Sequence, residues 1–146
     1  LMFHLAGLPG YLVVAELALN RVLRGSLPRP EYPMALRRNA PAVWRGQGEA
    51  TLAYAEHNHA PYGRLAQCAG MIATGMSQFA HAILAARGEW VTNEKTLLTR
   101  AGLRPVDEIV SRMTGDPGSL IDAVRSAREL AHRELEAALA EIPADV

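Results

Sequence analysis

Apolar and polar positions along the chain recur at the spacing of helices over almost its whole length. The clearest run follows Pro61, where Leu65, Cys68, Ile72, Met76, Phe79 and Ile83 fall three or four residues apart. Ala66, Ala69, Gly70, Ala73 and Ala80 leave room beside them for a neighbouring helix, which predicts a central helix ending at Arg87-Gly88. A second stripe, Leu120, Val124, Ala127, Ala131, Leu135 and Ala138, has charges opposite it and predicts an amphipathic helix from about Ser119 to Glu141.

Earlier in the chain, Tyr11 to Arg24 predicts a helix terminated by Gly25 ahead of Pro28 and Pro30, with a linker to Pro33. A short helix at Met34 to Asn39 is expected to close before Pro41. A further helix then runs to about Asn58 with Trp44, Leu52 and Ala55 on one face. Thr92 is placed to start a short helix stopped by Gly102; Pro105, followed by Asp107 and Glu108, starts another that ends near Gly115. Only residues 1–8 alternate, up to Pro9-Gly10, as the last strand of a preceding domain would, so that 9–146 form the helical domain. With its opening Leu1-Met2-Phe3, the chain is expected to start inside a longer protein. The fold class is all-α: an antiparallel helical bundle of four main helices plus short helices.

A length of 146 residues with 49% hydrophobic content suits one packed unit. Aromatic residues are scarce, so Ala and Leu must fill the core of closely approaching elements. Lys plus Arg balances Asp plus Glu at 15 each, so no overall field draws a polyanion or an anionic membrane, and neither nucleic acid nor membrane is expected as a partner. Locally, Arg21, Arg24, Arg29, Arg37, Arg38 and Arg45 face only Glu31, and this basic run weighs against a polycationic acceptor. The single Cys68 excludes an internal disulfide and a cysteine zinc cluster, and a reducing cytoplasm is the expected location. The stretches Leu12 to Leu19 and Ala66 to Leu84 are too short or carry Gln67, Gln78 and His81, so no bilayer span or targeting segment is expected.

Two segments carry a resemblance. Gly10 to Arg24, GYLVVAELALNRVLR, and Ala85 to Leu103, AARGEWVTNEKTLLTRAGL, are similar to the most recognisable stretches of the C-terminal helical domain of bacterial nucleotidyltransferases, which is kanamycin nucleotidyltransferase-like and related to HEPN domains. The resemblance implies an antibiotic-modification-like transfer of a nucleoside monophosphate to a hydroxyl acceptor. In that family a preceding domain holds Mg2+ and the nucleoside triphosphate through a Gly-Ser pair and an Asp-x-Asp motif. Neither motif is present here, since Gly25-Ser26 leads only to Leu27, Pro28 and Arg29, so no cofactor is expected in this chain and it should be inactive alone. The family also implies that the bundle walls the acceptor site, borders the triphosphate and forms a homodimer. The alternative is a non-catalytic helical interaction or dimerisation module, HEPN-like in its pairing.

The site residues follow from these stretches. Glu16, Asn20 and Arg24 make a narrow polar stripe on an otherwise apolar helix, which predicts a largely buried Glu16. Val14-Ala15-Glu16-Leu17 resembles the Val-Glu-Glu-Leu stretch that carries the family's proposed base, and Glu16 is either that catalytic base or an ion-paired docking residue. Asn20, Trp90, Asn93, Glu94 and Lys95 are the substrate- or phosphate-binding candidates, with Thr92 as helix cap. A lysine in a first helical turn opposes the helix dipole, so Lys95 calls for an anionic ligand or a carboxylate such as Glu94 or Glu49. His57 and His59 lack a third metal ligand and suit a helix C-terminus, so no metal site is expected. Arg125 and His132 match the HEPN ribonuclease Arg-x(4 to 6)-His pattern only loosely, and both residue types are ordinary on a charged helix face.

Overall fold

The computed structural model describes residues 12–143, and the strand expected in 1–8 lies outside them. All regular structure among the described residues is helical. The elements are α1 (Leu12–Leu19), α2 (Met34–Asn58), a 3-10 turn (Ala60–Tyr62), α3 (Leu65–Arg87), α4 (Leu97–Ala101), α5 (Val106–Ser111) and α6 (Pro117–Ala140). Three of these are long, at 25, 23 and 24 residues, whereas α1 spans only 8.

The contacts define the bundle. Going up α2, Arg37, Trp44, Gly48 and Leu52 meet Ala86, His81, Phe79 and Gly75 of α3, so the two helices are antiparallel. Arg45 meets Glu136 of α6 while Glu56 meets Arg125, so α6 is also antiparallel to α2 and therefore parallel to α3. The short helices α4 and α5 carry the chain back to the end where α6 begins. There the Gly115 carbonyl lies close against Gly63.

The central-helix pattern holds, since Cys68, Ile72, Met76, Phe79 and Ile83 are all fully buried, although Leu65 at the first position stays 40% exposed. By length and hydropathy α3 is also apolar enough to cross a membrane, contrary to the sequence expectation, but 56% of its most apolar window is buried in the protein, as befits a core helix. The final stripe, Leu120 through Ala138, is likewise buried. Asp116 caps α6 by accepting from the Ser119 amide at 2.9 Å, and the Ser119 hydroxyl accepts in return from the Thr114 amide at 3.1 Å.

Four expectations change. Met34 to Asn58 is one helix, not two, with Pro41 inside it. Proline removes a single backbone donor, and the full burial of Pro41 in the core offsets that local cost. The first helix ends at Leu19, because the Asn20 side chain turns back to the carbonyls of Leu17 and Pro28, while Arg29 donates to the Asn20 carbonyl at 2.9 Å. Close approach of α2 and α3 runs through Gly48 and Gly75 rather than Gly70, beside which there is open space. Finally, α4 starts at Leu97, not Thr92.

A Cβ on Gly48 would stand 2.6 Å from the ring of the fully buried Phe79, and one on Gly75 would stand 2.9 Å from Leu52. Alanine normally stabilises an exposed helix over glycine by about 0.5–1 kcal/mol. The sign should reverse at these two sites. Gly48→Ala and Gly75→Ala should each destabilise by about 1–3 kcal/mol through overpacking, whereas Gly46→Ala and Gly70→Ala, in open space, should stabilise. Urea unfolding of the four variants checks this; equal effects would refute the close contact.

Candidate functional site

A cavity of about 180 Å³ opens between the first half of α2 and the C-terminal end of α3. Tyr32, Leu36, Ala40 and Trp44 form one wall, His81 and Ala85 the second, and Glu89, Trp90 and Val91 of the loop after α3 the third. Trp44 stacks on His81 with ring centroids 4.6 Å apart and planes 20° apart, and Tyr32 leans on Trp90 at 4.6 Å and 52°. Burial pushes the His81 imidazole below its ordinary pKa of 6.5, keeping it neutral where a charge would be poorly solvated.

The third wall is built by the end of α3. Gly88 takes a left-handed conformation, φ 74°, its amide bonds the Ala85 carbonyl at 3.0 Å and the Glu89 amide bonds the Leu84 carbonyl at 2.8 Å. That double closure is a Schellman motif, and it turns the chain so that Glu89 and Trp90 reach the cavity. Arg37 adds a hydrogen bond to the Ala86 carbonyl at 2.6 Å. Arg100 of α4 brackets the loop from the other side, donating to the Glu89 carboxylate and to the Trp90 carbonyl, both at 2.9 Å. Arg87 in turn donates to the Arg100 carbonyl at 2.9 Å.

Of the sequence candidates, only Trp90 lines this cavity. Its indole nitrogen is buried with no hydrogen-bond partner. Asn93, Glu94 and Lys95 stand together on an exposed turn, where the Lys95 amide donates to the Asn93 side chain at 3.2 Å and the Leu97 amide to the Glu94 carbonyl at 3.1 Å. Thr92 does not cap a helix, and Lys95 precedes the first turn of a five-residue helix, so the dipole argument for a phosphate corner loses its footing. Glu49, named as a partner for Lys95, pairs instead with Arg128 and His132.

Glu16 is exposed, as are Val13, Val14 and Leu19 beside it, so the expected buried setting is absent. Asn20 is half-buried and serves the loop after α1, with its side-chain oxygen left unpartnered. Glu16 and Lys95 are both exposed. The basic run also disperses: Arg37 bonds the ends of α3 and α6, Arg29 bonds Asn20, and Arg45 pairs with Glu136.

Sequence reasoning passed over a seam of charge between α2 and α6. Glu56, whose side chain is 11% exposed, accepts from Arg125 and Arg128 at 2.8 Å each, and Arg128 also reaches Glu49 at 3.3 Å, beside the Glu49–His132 pair. Desolvation alone would push the Glu56 carboxyl up, but the hydrogen bonds and charges of Arg125 and Arg128 outweigh it and hold it below 4.5. Arg125 is thus tied up in an ion pair with Glu56, and His132 is hydrogen-bonded to Glu49. Their i, i+3, i+7 spacing with Arg128 was the signal that these side chains share a face. Near the turn after α2, His57 bonds the Ala53 carbonyl at 2.7 Å and His59 packs edge-on to Tyr54. Among the described residues no group of three or more His, Cys, Asp or Glu is placed to hold a metal ion.

Comparison of the chain with protein-family models, with curated proteins and with solved structures finds no match.

Two acid windows should separate these sites. The unfolded chain protonates His81 near 6.5 while the folded one resists, so His81 should lower stability progressively as pH falls below about 6.5. Glu56 is the opposite kind of group: its depressed pKa contributes stability above 4.5 that is lost as pH falls through its folded value. Urea midpoints measured from pH 8 to 3 should show a flatter slope for His81→Gln just below 6.5 and for Glu56→Gln only below 4.5. Identical profiles for both variants and the parent would contradict these environments.

Proposed function

We propose that this chain is the C-terminal helical domain of a cytoplasmic nucleotidyltransferase and that its aromatic cavity forms part of the acceptor site. One observation carries the proposal: the segment Ala85 to Leu103, on which the resemblance rests, contributes Ala85, Glu89, Trp90 and Val91 to the cavity wall. That segment holds Trp90 half-buried at the edge of the cavity, where its ring is open to a ligand.

In this proposal the preceding domain supplies the magnesium and triphosphate site and covers the exposed apolar residues of α1, Val13, Val14 and Leu19. With that cover, α1 acts as the fourth main helix of the bundle. Glu16, on the same helix, would then lie at the domain junction, where it serves as base toward the acceptor hydroxyl or as an ion-paired docking residue. Asn93, Glu94 and Lys95 project from the turn that follows the cavity wall, and Lys95 is the cation available to a phosphate. Trp90 acts on the acceptor by contact. The same exposed face on α1 also suits the second reading, a non-catalytic module that pairs with a second chain as a homodimer or with a helical partner.

The full-length protein, assayed with magnesium and labelled nucleoside triphosphates against a panel of hydroxyl acceptors, separates the two. Trp90→Ala should raise the acceptor KM about tenfold with a smaller effect on kcat, as loss of a ground-state contact does. Glu16→Gln should lower kcat by about 10²-fold or more if the carboxylate is the base. Lys95→Ala should raise the triphosphate KM. Wild-type kinetics in all three variants would remove the site assignment, and absence of transfer to any acceptor would favour the pairing module.

A further inference from the structure

The described residues include few large rings, and their distribution is uneven. Of Tyr32, Trp44, Tyr54, Tyr62, Phe79 and Trp90, only Phe79 is fully buried in the core, which is otherwise aliphatic. Three of the other five, Tyr32, Trp44 and Trp90, line one cavity. Trp44 also packs on the edge of the core, and the three rings are grouped around one space.

The charge at that space has one sign. Glu89 is the one carboxylate in the lining, and no lysine or arginine lines it. Arg100 engages Glu89 through Oε2, at 2.9 and 3.3 Å. Aromatic faces are themselves centres of negative potential. A phosphate or carboxylate would find no lysine or arginine in the lining and, as an unpartnered donor, only the buried indole N–H of Trp90, whereas a positive group wrapped in methyl or methylene groups would meet rings and a carboxylate together. At about 180 Å³ the cavity is smaller than the usual site for a drug-sized molecule, so it suits a compact head group.

We propose that this cavity binds an organic cation, an alkylated ammonium group held by Tyr32, Trp44 and Trp90 with Glu89 as its counter-charge. It rests on the acceptor-site reading only for the role of the bound molecule, because binding requires neither nucleotide nor metal.

The chain contains two tryptophans, and both line the cavity, so intrinsic fluorescence reports on this site alone. Choline and its uncharged isostere 3,3-dimethylbutan-1-ol are titrated separately into the protein without metal or nucleotide. A saturable change is expected with choline, at an affinity about tenfold or more above that of the neutral alcohol. Glu89→Gln should weaken choline by about fivefold or more and leave the alcohol within about twofold. Trp44→Leu, which keeps an apolar wall while removing the ring, should weaken choline by a similar factor and still report through Trp90. Equal affinity for the two compounds overturns the inference, as does the absence of a saturable response to choline in the parent protein. Choline binding by a protein that transfers no nucleotide would retain the inference and remove the proposed function; an active transferase that ignores choline would do the reverse.

Discussion

The contact on which the rest depends is reciprocal: Gly48 of α2 takes the ring of Phe79 from α3, and one turn away Gly75 of α3 takes Leu52 from α2. Each helix thus offers a bare stretch of backbone to a large side chain of the other, and the axes come closer than two ordinary helix faces would allow. The register fixed there propagates. One turn back from Gly48, Trp44 meets His81, and two turns further Arg37 reaches the last carbonyls of α3. The cavity lies beyond that contact, toward the start of α2 and the end of α3, and neither glycine lines it.

The third helix is joined by two kinds of interaction with different work to do. The stripe from Leu120 to Ala138 removes apolar surface from water, at about 1.5–3 kcal/mol for each leucine-sized side chain. That gain is indifferent to small rotations and slides. Of the ion pairs along the α2–α6 edge, Arg45–Glu136 is exposed and contributes about 0–1 kcal/mol, whereas Arg128 and Glu56 are largely shielded from water. Their value lies in direction: Arg128 sits between Glu49 and Glu56, two turns of α2, and a slide of one turn would leave Glu56 without its partners. Burial supplies the stability and the charges choose among its near-equivalent arrangements.

How much of this was legible follows from where each signal lies. The core faces of α3 and α6 could be read because every stripe position is local to one helix and obeys its period. Pro41 misled because a local rule about one lost donor was weighed without the packing that surrounds it. The charge seam was hidden because Glu56 and Arg125 are 69 residues apart, and no pattern within either helix says which faces will meet. The basic run from Arg21 to Arg45 suggested a positive surface, yet Arg37 and Arg45 spend their guanidinium groups on helix ends and on Glu136. Glu16 was misjudged for a related reason: an apolar helix implies that something covers it, but the sequence does not say that the cover belongs to the described residues.

The segment around Trp90 shows how the surroundings of a charged residue change the argument made from its type alone. Lys95 drew attention as a charge, but α4 begins after it and is too short to present a strong dipole. The same segment also holds one ring in place. The Schellman closure at Gly88 sets the chain direction, Arg100 takes the Trp90 carbonyl, Val91 is buried immediately after, and Tyr32 rests against the indole. Each constraint alone would leave the side chain a choice of positions; together they leave little. A half-buried ring fixed to that degree has already lost the freedom that binding would otherwise have to remove, so a ligand in the cavity keeps most of the contact energy it gains. Arg100 therefore helps to place Trp90 at the cavity, although Arg100 itself does not line it.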